Sequence, residues 1–482
     1  LEELEGELEE ARKVLLVAEG QLESSLREVW PSADPMPAKA VAAELSHKEG
    51  LLHYTLDEHG IGLIVVRGGP AGGWLGTHVA STGEEAQELQ GQILRLLGML
   101  RAGEPVDTDL RQSISDRLLP AAVWKLLAGC ERVVLVPDGI LNELPFECLR
   151  TPQGDWLEQG PHVVYSPSAT LFARGRCNRS AGTKETPRAL ILGNPTFAPE
   201  EVEPAGEEQR ATTGPLKDSL RSHFNGRLSA LPGSQIEAQR IAQTLGDADW
   251  KVETLLGPDA LSEALQAAAR GASLVHLATH GFAARAERPY DSALALAMPK
   301  RTNAPGDGFL SLDDLIRNWG GRLKGCDLVV LSACDTQVGV VLGESRVALS
   351  WGFFFAGADS VLVSLWKVDD RATALLMDRF YTNYVGSFEV ERRAGSVVFA
   401  PGQAMEEAAA LHEAKAWLAN SSPEENKRRL KELGFQEGGA QQSERGQFPR
   451  PSSGPTSRAI SEAYEFRSPR YGGAFVLYGQ PD

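Results

Sequence analysis

Ala272-Ser273-Leu274-Val275-His276-Leu277-Ala278-Thr279-His280-Gly281 and Cys326-Asp327-Leu328-Val329-Val330-Leu331-Ser332-Ala333-Cys334 decide how this chain is read. Each stretch holds a short apolar run with β-branched residues, the pattern of a parallel strand covered on both faces. Each then breaks into small and polar residues. Two such strands predict an open α/β sheet, in which reactive groups gather outside the carboxyl ends of the strands. His280 and Cys334 stand 54 residues apart, where a single crevice would serve both.

A thiol becomes a strong nucleophile on losing its proton, and a neighbouring imidazole can take that proton and return it to a leaving amine. Cys334 and His280 fit the two roles. The oxyanion of a tetrahedral intermediate needs backbone donors, and Gly281, which has no Cβ, offers one N–H while Cys334 offers its own. Thr279 and Asp335 flank the pair and would either orient it or close a turn. Plainer readings stand beside these, because cysteine is among the most buried residue types. Cys130, Cys148, Cys177 and Cys326 read as core or incidental, and His276, alternating with Val275 and Leu277, reads as structural. Cys334 differs from them in following a finished strand and opening a polar loop.

Other motifs recur along the chain in a fixed order from about residue 36 onward. They are Val136-Pro137-Asp138-Gly139 with Leu144-Pro145-Phe146, Tyr165-Ser166-Pro167-Ser168-Ala169, Leu231-Pro232-Gly233 with Glu237-Ala238, and Ala278-Thr279-His280-Gly281-Phe282. Ser292-Ala293-Leu294, Leu331-Ser332-Ala333-Cys334-Asp335-Thr336, Ser364-Leu365-Trp366-Lys367-Val368-Asp369-Asp370 and Ala474-Phe475-Val476-Leu477 follow. On these residues the chain resembles the CHAT family of bacterial caspase-like cysteine peptidases, relatives of separase. A histidine about fifty residues upstream of the nucleophile is also the caspase order. The sequence departs from the family in Thr336-Gln337-Val338-Gly339, where threonine is usually followed directly by glycine.

The resemblance implies an α/β fold, a caspase-like three-layer αβα sandwich in which a pseudo-protease half precedes an active half. It implies catalytic His280 and Cys334, an oxyanion hole at Gly281 and Cys334, and hydrolysis of peptide bonds without cofactor or metal. Similarity to caspases and separase would place Ser364 and Leu365 along the substrate backbone, with Trp366 as an apolar wall. Asp369 and Asp370 would then favour a basic substrate residue, or they simply cap the helix expected near Arg371. Bacterial relatives act in defence and programmed death, some by cutting a pore-forming protein. The expected partners are therefore a protein substrate of that kind and an activating sensor or helical-repeat module at the N-terminus. The competing expectation is a catalytically silent scaffold for protein–protein interaction.

With 482 residues, of which 42% are hydrophobic, the chain can build two to four cores. Five cysteines without framework spacing suggest a reducing compartment. No run approaches the ~20 apolar residues of a membrane span, and no signal segment opens the chain, so a cytoplasmic location and no membrane are expected. A net charge of −17 disfavours nucleic acid as a ligand. No phosphate-binding glycine loop and no clustered Cys/His set is present, which leaves nucleotide and metal chemistry unsupported.

Three regions are expected: 1–35, 36–180 and 181–482. The first begins at Leu1, which suggests a fragment or processed product, and places Leu1, Leu4, Leu8, Ala11, Leu15, Ala18, Leu22 and Val29 on one helical stripe. The stripe would end a helical repeat array, form a coiled-coil seam or dock as a plain surface helix. In the second region, strands are expected at Leu51 to Leu56, Gly62 to Val66, Trp74 to Val79 and Arg132 to Val136, with helices from Glu84 to Leu100 and from Leu110 to Leu127. The third opens with a strand at Arg188 and carries a long loop at 198–227. Helices are expected from Leu261 to Ala269, Glu344 to Ala356, Arg371 to Tyr384 and Gly402 to Leu418. A strand from Ser360 to Trp366 and a disordered insertion at 436–470, with arginines open to cleavage, complete the expectation.

Overall fold

The computed structural model describes residues 35–57, 59–69, 73–178, 186–197, 228–282, 292–298, 308–333, 340–342, 345–347, 349–386, 403–435 and 465–479. The stripe at 1–29, the loop at 198–227, residues 436–464 of the expected insertion, and Cys334 with Asp335 lie outside the described residues.

The first flank begins with α1 (Ala38–Glu44) and the antiparallel strands β1 (Glu49–Leu56), β2 (Ile61–Arg67) and β3 (Trp74–Ala80). Then come α2 (Gly83–Ala102), α3 (Thr108–Leu118), α4 (Ala121–Leu127) and β4 (Arg132–Val136). A short ribbon of β5 (Arg150–Thr151) and β6 (Gly154–Asp155), α5 (Trp156–Gln159), β7 (His162–Tyr165) and α6 (Ala169–Asn178) complete it. The single helix expected from Leu110 to Leu127 is broken at Leu119-Pro120. A proline ring excludes the helical conformation from the residue before it and is tolerated at a helix start, so one apolar stripe becomes two helices.

The second flank opens with β8 (Arg188–Pro195), α7 (Pro232–Asp247), β9 (Lys251–Gly257), α8 (Ser262–Ala268) and β10 (Leu274–Ala278). A small antiparallel sheet of β11 (Gly281–Phe282), β12 (Ala293–Ala295) and β13 (Phe309–Ser311) follows. Next are α9 (Leu312–Asn318), β14 (Cys326–Leu331), the hairpin β15 (Val340–Leu342) and β16 (Ser345–Val347), α10 (Leu349–Ala356) and β17 (Ala358–Ser364). The chain closes with α11 (Asp370–Val385), α12 (Glu407–Asn420), α13 (Pro423–Glu432), α14 (Pro469–Gly472) and β18 (Phe475–Gly479). The helix expected from Glu344 starts only at Leu349, because Ser345–Val347 pairs with Val340–Leu342 instead. The strand expected to reach Trp366 ends at Ser364.

One eleven-stranded sheet runs β3-β2-β1-β4-β7-β18-β17-β14-β10-β8-β9. Strands β9, β8, β10, β14 and β17 are mutually parallel, and β18 runs antiparallel to β17 but parallel to β7, β4 and β1. Polarity thus reverses between β17 and β18, so the carboxyl ends of the two parallel flanks open on opposite edges. In the second flank the chain steps outward from β8 to β9 and inward through β10, β14 and β17. Right-handed crossovers then put α7 on one face and α8, α9 and α10 on the other. The result is an α/β fold of three layers, helix–sheet–helix.

The flanks are clasped by buried polar groups. Lys415 of α12 stands 2.5 Å from Glu147, whose other oxygen accepts from the Tyr165 hydroxyl at 3.1 Å. Nearby, the rings of His162 on β7 and His412 on α12 lie 5.0 Å apart. Farther out, burial alone would raise the Glu49 carboxyl. The Arg176 guanidinium, the Ser46 N–H and Arg132 outweigh it and hold Glu49 below the usual range.

Candidate active site

The strand order reverses at β8: the chain leaves it outward to β9 and returns on its other side as β10. Ligands of open α/β sheets bind outside the carboxyl ends of strands at such a reversal. His280 follows the end of β10, next to β8, at this reversal. In the parallel ladder Leu277 of β10 pairs with Leu331 of β14. His280 lies three residues beyond the first, and Cys334 lies three residues beyond the second in sequence.

His280 is half-buried. Its Nε2 lies 2.9 Å from the Ser229 carbonyl oxygen, an acceptor only, so Nε2 carries the proton and Nδ1 presents a lone pair in the neutral ring. The Phe197 ring packs against the imidazole with centroids 5.1 Å apart. The backbone is pinned on both sides, because the Thr279 hydroxyl donates to the Ala295 carbonyl at 2.7 Å and the Ala295 N–H donates to the His280 carbonyl at 2.9 Å. Antiparallel partners alternate between bonded and non-bonded positions. With His280 bonded to Ala295, Gly281 opposite Leu294 falls at a non-bonded position, and its N–H points away from β12.

On the β14 side, Ala333 is buried and its carbonyl accepts from the Ser364 hydroxyl. The residue before Cys334 is thereby tied to β17. Leu365 and Trp366 are buried: the Leu365 N–H donates to the Ala474 carbonyl at 2.7 Å, and the Trp366 indole N–H donates to the Arg470 carbonyl at 3.0 Å. Asp369 is the N-cap of α11, accepting from the N–H groups of Arg371 and Ala372 and pairing with the Arg371 side chain at 3.2 Å. Asp370 sits where α7 and α11 meet, since a Cβ on Gly233 would come within 2.9 Å of its Oδ2.

Sequence reasoning missed a supporting layer. His276, fully buried on β10, faces the helices with Nδ1 3.1 Å from the Tyr381 hydroxyl of α11 and Nε2 3.1 Å from Glu237 Oε1 of α7. The second contact is close in distance but is not aligned as a hydrogen bond. Burial, reinforced by the Glu237 charge, raises the Tyr381 phenol well above its ordinary range, so the hydroxyl keeps its proton beside the ring. The alternation that marked His276 as structural was legible. Its partners, 39 residues before it and 105 after it, were not. Among the described residues no group of three or more His, Cys, Asp or Glu side chains could hold a metal ion, and no helix is long and apolar enough to cross a membrane.

The CHAT domain family matches residues 108–480. Tetratricopeptide repeat protein 28 of Mus musculus is 23% identical over 297 residues, 55% of this chain and 11% of that protein, and its Homo sapiens counterpart is 22% identical over the same shares. The chain thus spans about a tenth of the length of these relatives. Among solved structures, the Arg-specific cysteine proteinase gingipain R aligns over 82% of this chain and 75% of its own, with TM-score 0.40 and 10% identity. The separase of Saccharomyces cerevisiae, solved with securin, aligns over 92% of this chain and 31% of its own, with TM-score 0.42 and 10% identity. With the family matched across more than three quarters of its length, the chain belongs to the CHAT-domain family.

Proposed function

We propose that the chain is a cysteine endopeptidase in which Cys334 is the nucleophile and His280 the general base and acid. The register supports the reading: Leu277 pairs with Leu331 on adjacent parallel strands, and His280 and Cys334 each follow three residues later in sequence. The Ser229 carbonyl holds the Nε2 proton, so Nδ1 takes the thiol proton as the sulfur attacks the scissile carbonyl carbon. The oxyanion accepts from the N–H groups of Gly281 and Cys334. As the tetrahedral species collapses, the C–N bond breaks and the imidazolium returns its proton to the departing amine. Water, deprotonated by the same imidazole, then releases the acid from the thioester.

In this proposal the substrate is a protein, and its chain runs beside the end of β17, near Ser364, Leu365 and Trp366. Gating by a sensor module through the N-terminal stripe, a cytoplasmic setting and service in bacterial defence or programmed death form the proposed context, supported by family membership. The test is cleavage of a diverse peptide library by purified protein beside Cys334→Ala, read by mass spectrometry. Cuts that vanish in the variant establish the activity. A basic residue before the cut would support a substrate role for Asp369 and Asp370, and indifference there leaves Asp369 as the cap of α11 and Asp370 at the contact of α7 with α11. Cuts that persist in Cys334→Ala would sink the dyad. A silent scaffold is the second reading, favoured by curated relatives named for tetratricopeptide repeats. Absence of Cys334-dependent cleavage would move the weight to it.

A further inference from the structure

We propose that Asn194 is a positioning residue for His280, acting through the Ser229 carbonyl; the inference rests on the peptidase reading above. Asn194 lies at the end of β8, beside β10, where the strand order reverses. Its φ is 45°, a left-handed conformation uncommon for any residue with a Cβ and best tolerated by asparagine and aspartate. Such backbone strain persists where the surroundings over-determine it, and it clusters at functional sites.

Three polar groups of Asn194 grip one short stretch. Its backbone N–H donates to Ser234 Oγ at 2.9 Å, its Oδ1 accepts from the Leu231 N–H at 2.7 Å, and its Nδ2 donates to Gln235 Oε1 at 3.0 Å. The Ser234 hydroxyl in turn donates to the Leu231 carbonyl at 2.9 Å. Gly193 makes room for this junction, since a Cβ there would come within 2.7 Å of both the Ala238 side chain and the Ser234 carbonyl. Ser229, whose carbonyl receives the His280 proton, is exposed and lies two residues before Leu231. The buried Leu231 side chain fixes where the turn sits. The Asn194 amide fixes how its peptides are oriented, and thus where the Ser229 carbonyl points. Without that hold the imidazole loses its preferred tautomer, and the fraction presenting a lone pair from Nδ1 falls.

The test uses the full chain with ¹⁵N-labelled histidine, the His280 signal being assigned with His280→Gln, together with the rate of Cys334 alkylation by iodoacetamide against pH. Asn194→Gly keeps the left-handed backbone without steric cost and removes the side-chain grip. Asn194→Asp keeps an acceptor for Leu231. Expected are a single Nε2-protonated tautomer in wild type, mixed tautomers with alkylation slowed about 10–100-fold in Asn194→Gly, and recovery of most of both in Asn194→Asp. Ser234→Ala, which removes the partner of the Asn194 N–H, serves if the glycine variant does not fold, and should show the same change at smaller size. An activated thiol in wild type that is unchanged in Asn194→Gly and Ser234→Ala, or a loss that Asn194→Asp does not restore, would overturn the role of Asn194 alone. An ordinary thiol profile in wild type would overturn the dyad reading and this inference with it.

Discussion

The two flanks share one sheet but differ in what lies beyond their strand ends. In the first, the loop after β4 turns its acid inward: Asp138 accepts from the N–H groups of Leu56 and Gly139. Beyond β7, the Ser166 hydroxyl donates to the Ser168 carbonyl, and the Ser168 hydroxyl accepts from the Leu171 N–H to start α6. His53 lies on β1 opposite Val136, its pKa lowered by burial and drawn partly back by Asp138, with no cysteine in Pro137-Asp138-Gly139 or Ser166-Pro167-Ser168. In the second flank, the loops beyond β8 and β10 bring together Asn194, Ser229, His280 and the outward N–H of Gly281. The first flank closes its loops on themselves, whereas the second leaves directed polar atoms at a reversal of strand order, where loops of such folds carry function.

The sharpest break in this comparison is His280→Gln, which should lower Cys334-dependent cleavage by about 10²–10⁴-fold while the unfolding midpoint barely moves. Equal loss of fold and turnover would mean that this crevice too is structural. Next is the clasp between the flanks. Lys415→Met leaves Glu147 buried without its cation, and chemical denaturation should register a loss of about 3–5 kcal/mol. A change below 1 kcal/mol would mean that the flanks do not depend on the pair.

Acid should act on the same seam. Burial, with His162 adding to it, pushes the His412 imidazole down to about 4 from an ordinary 6.5. The unfolded chain therefore binds the extra proton between those values. The stability contributed by neutral His412 is complete above pH 6.5 and drains away as pH falls toward 4, by about 3 kcal/mol in all. Urea midpoints followed from pH 7 to 4 should show this slope in wild type and a shallower one in His412→Leu. The smallest effect is expected at Asp138→Ala, about 1–2 kcal/mol of stability with unaltered cleavage. A fall in turnover there would tie the first flank to the chemistry.

Much of the fold was legible because it is written in local periodicity. Arg132–Val136 and Cys326–Leu331 have the expected bounds, since four consecutive apolar residues between polar breaks have few alternatives. α13 went unseen for the opposite reason. Only Leu430 and Asn426 are buried along Pro423–Glu432, so no stripe exists, and its signals are a Ser422 cap, a proline in the first turn, acids at the start and bases at the end. At the site, His280 could be named from its strand end, whereas Ser229 and Asn194 could not. Ser229 acts through its backbone carbonyl and Asn194 through an amide that grips a turn 37 residues away, and no residue type advertises which carbonyl will face an imidazole across the fold.

β18 is the last of the described strands and one of the innermost in the sheet, held between β7 and β17. β17 carries the Ser364 that ties down the residue before Cys334. During synthesis both flanks emerge before the strand that joins them, and long-range pairing of this kind is slow to form. A chain folded without Phe475–Gly479 would leave the facing edges of β7 and β17 unpaired. Joining the flanks and bracing the edge of β17, which holds the Ala333 carbonyl through Ser364, are therefore a single step.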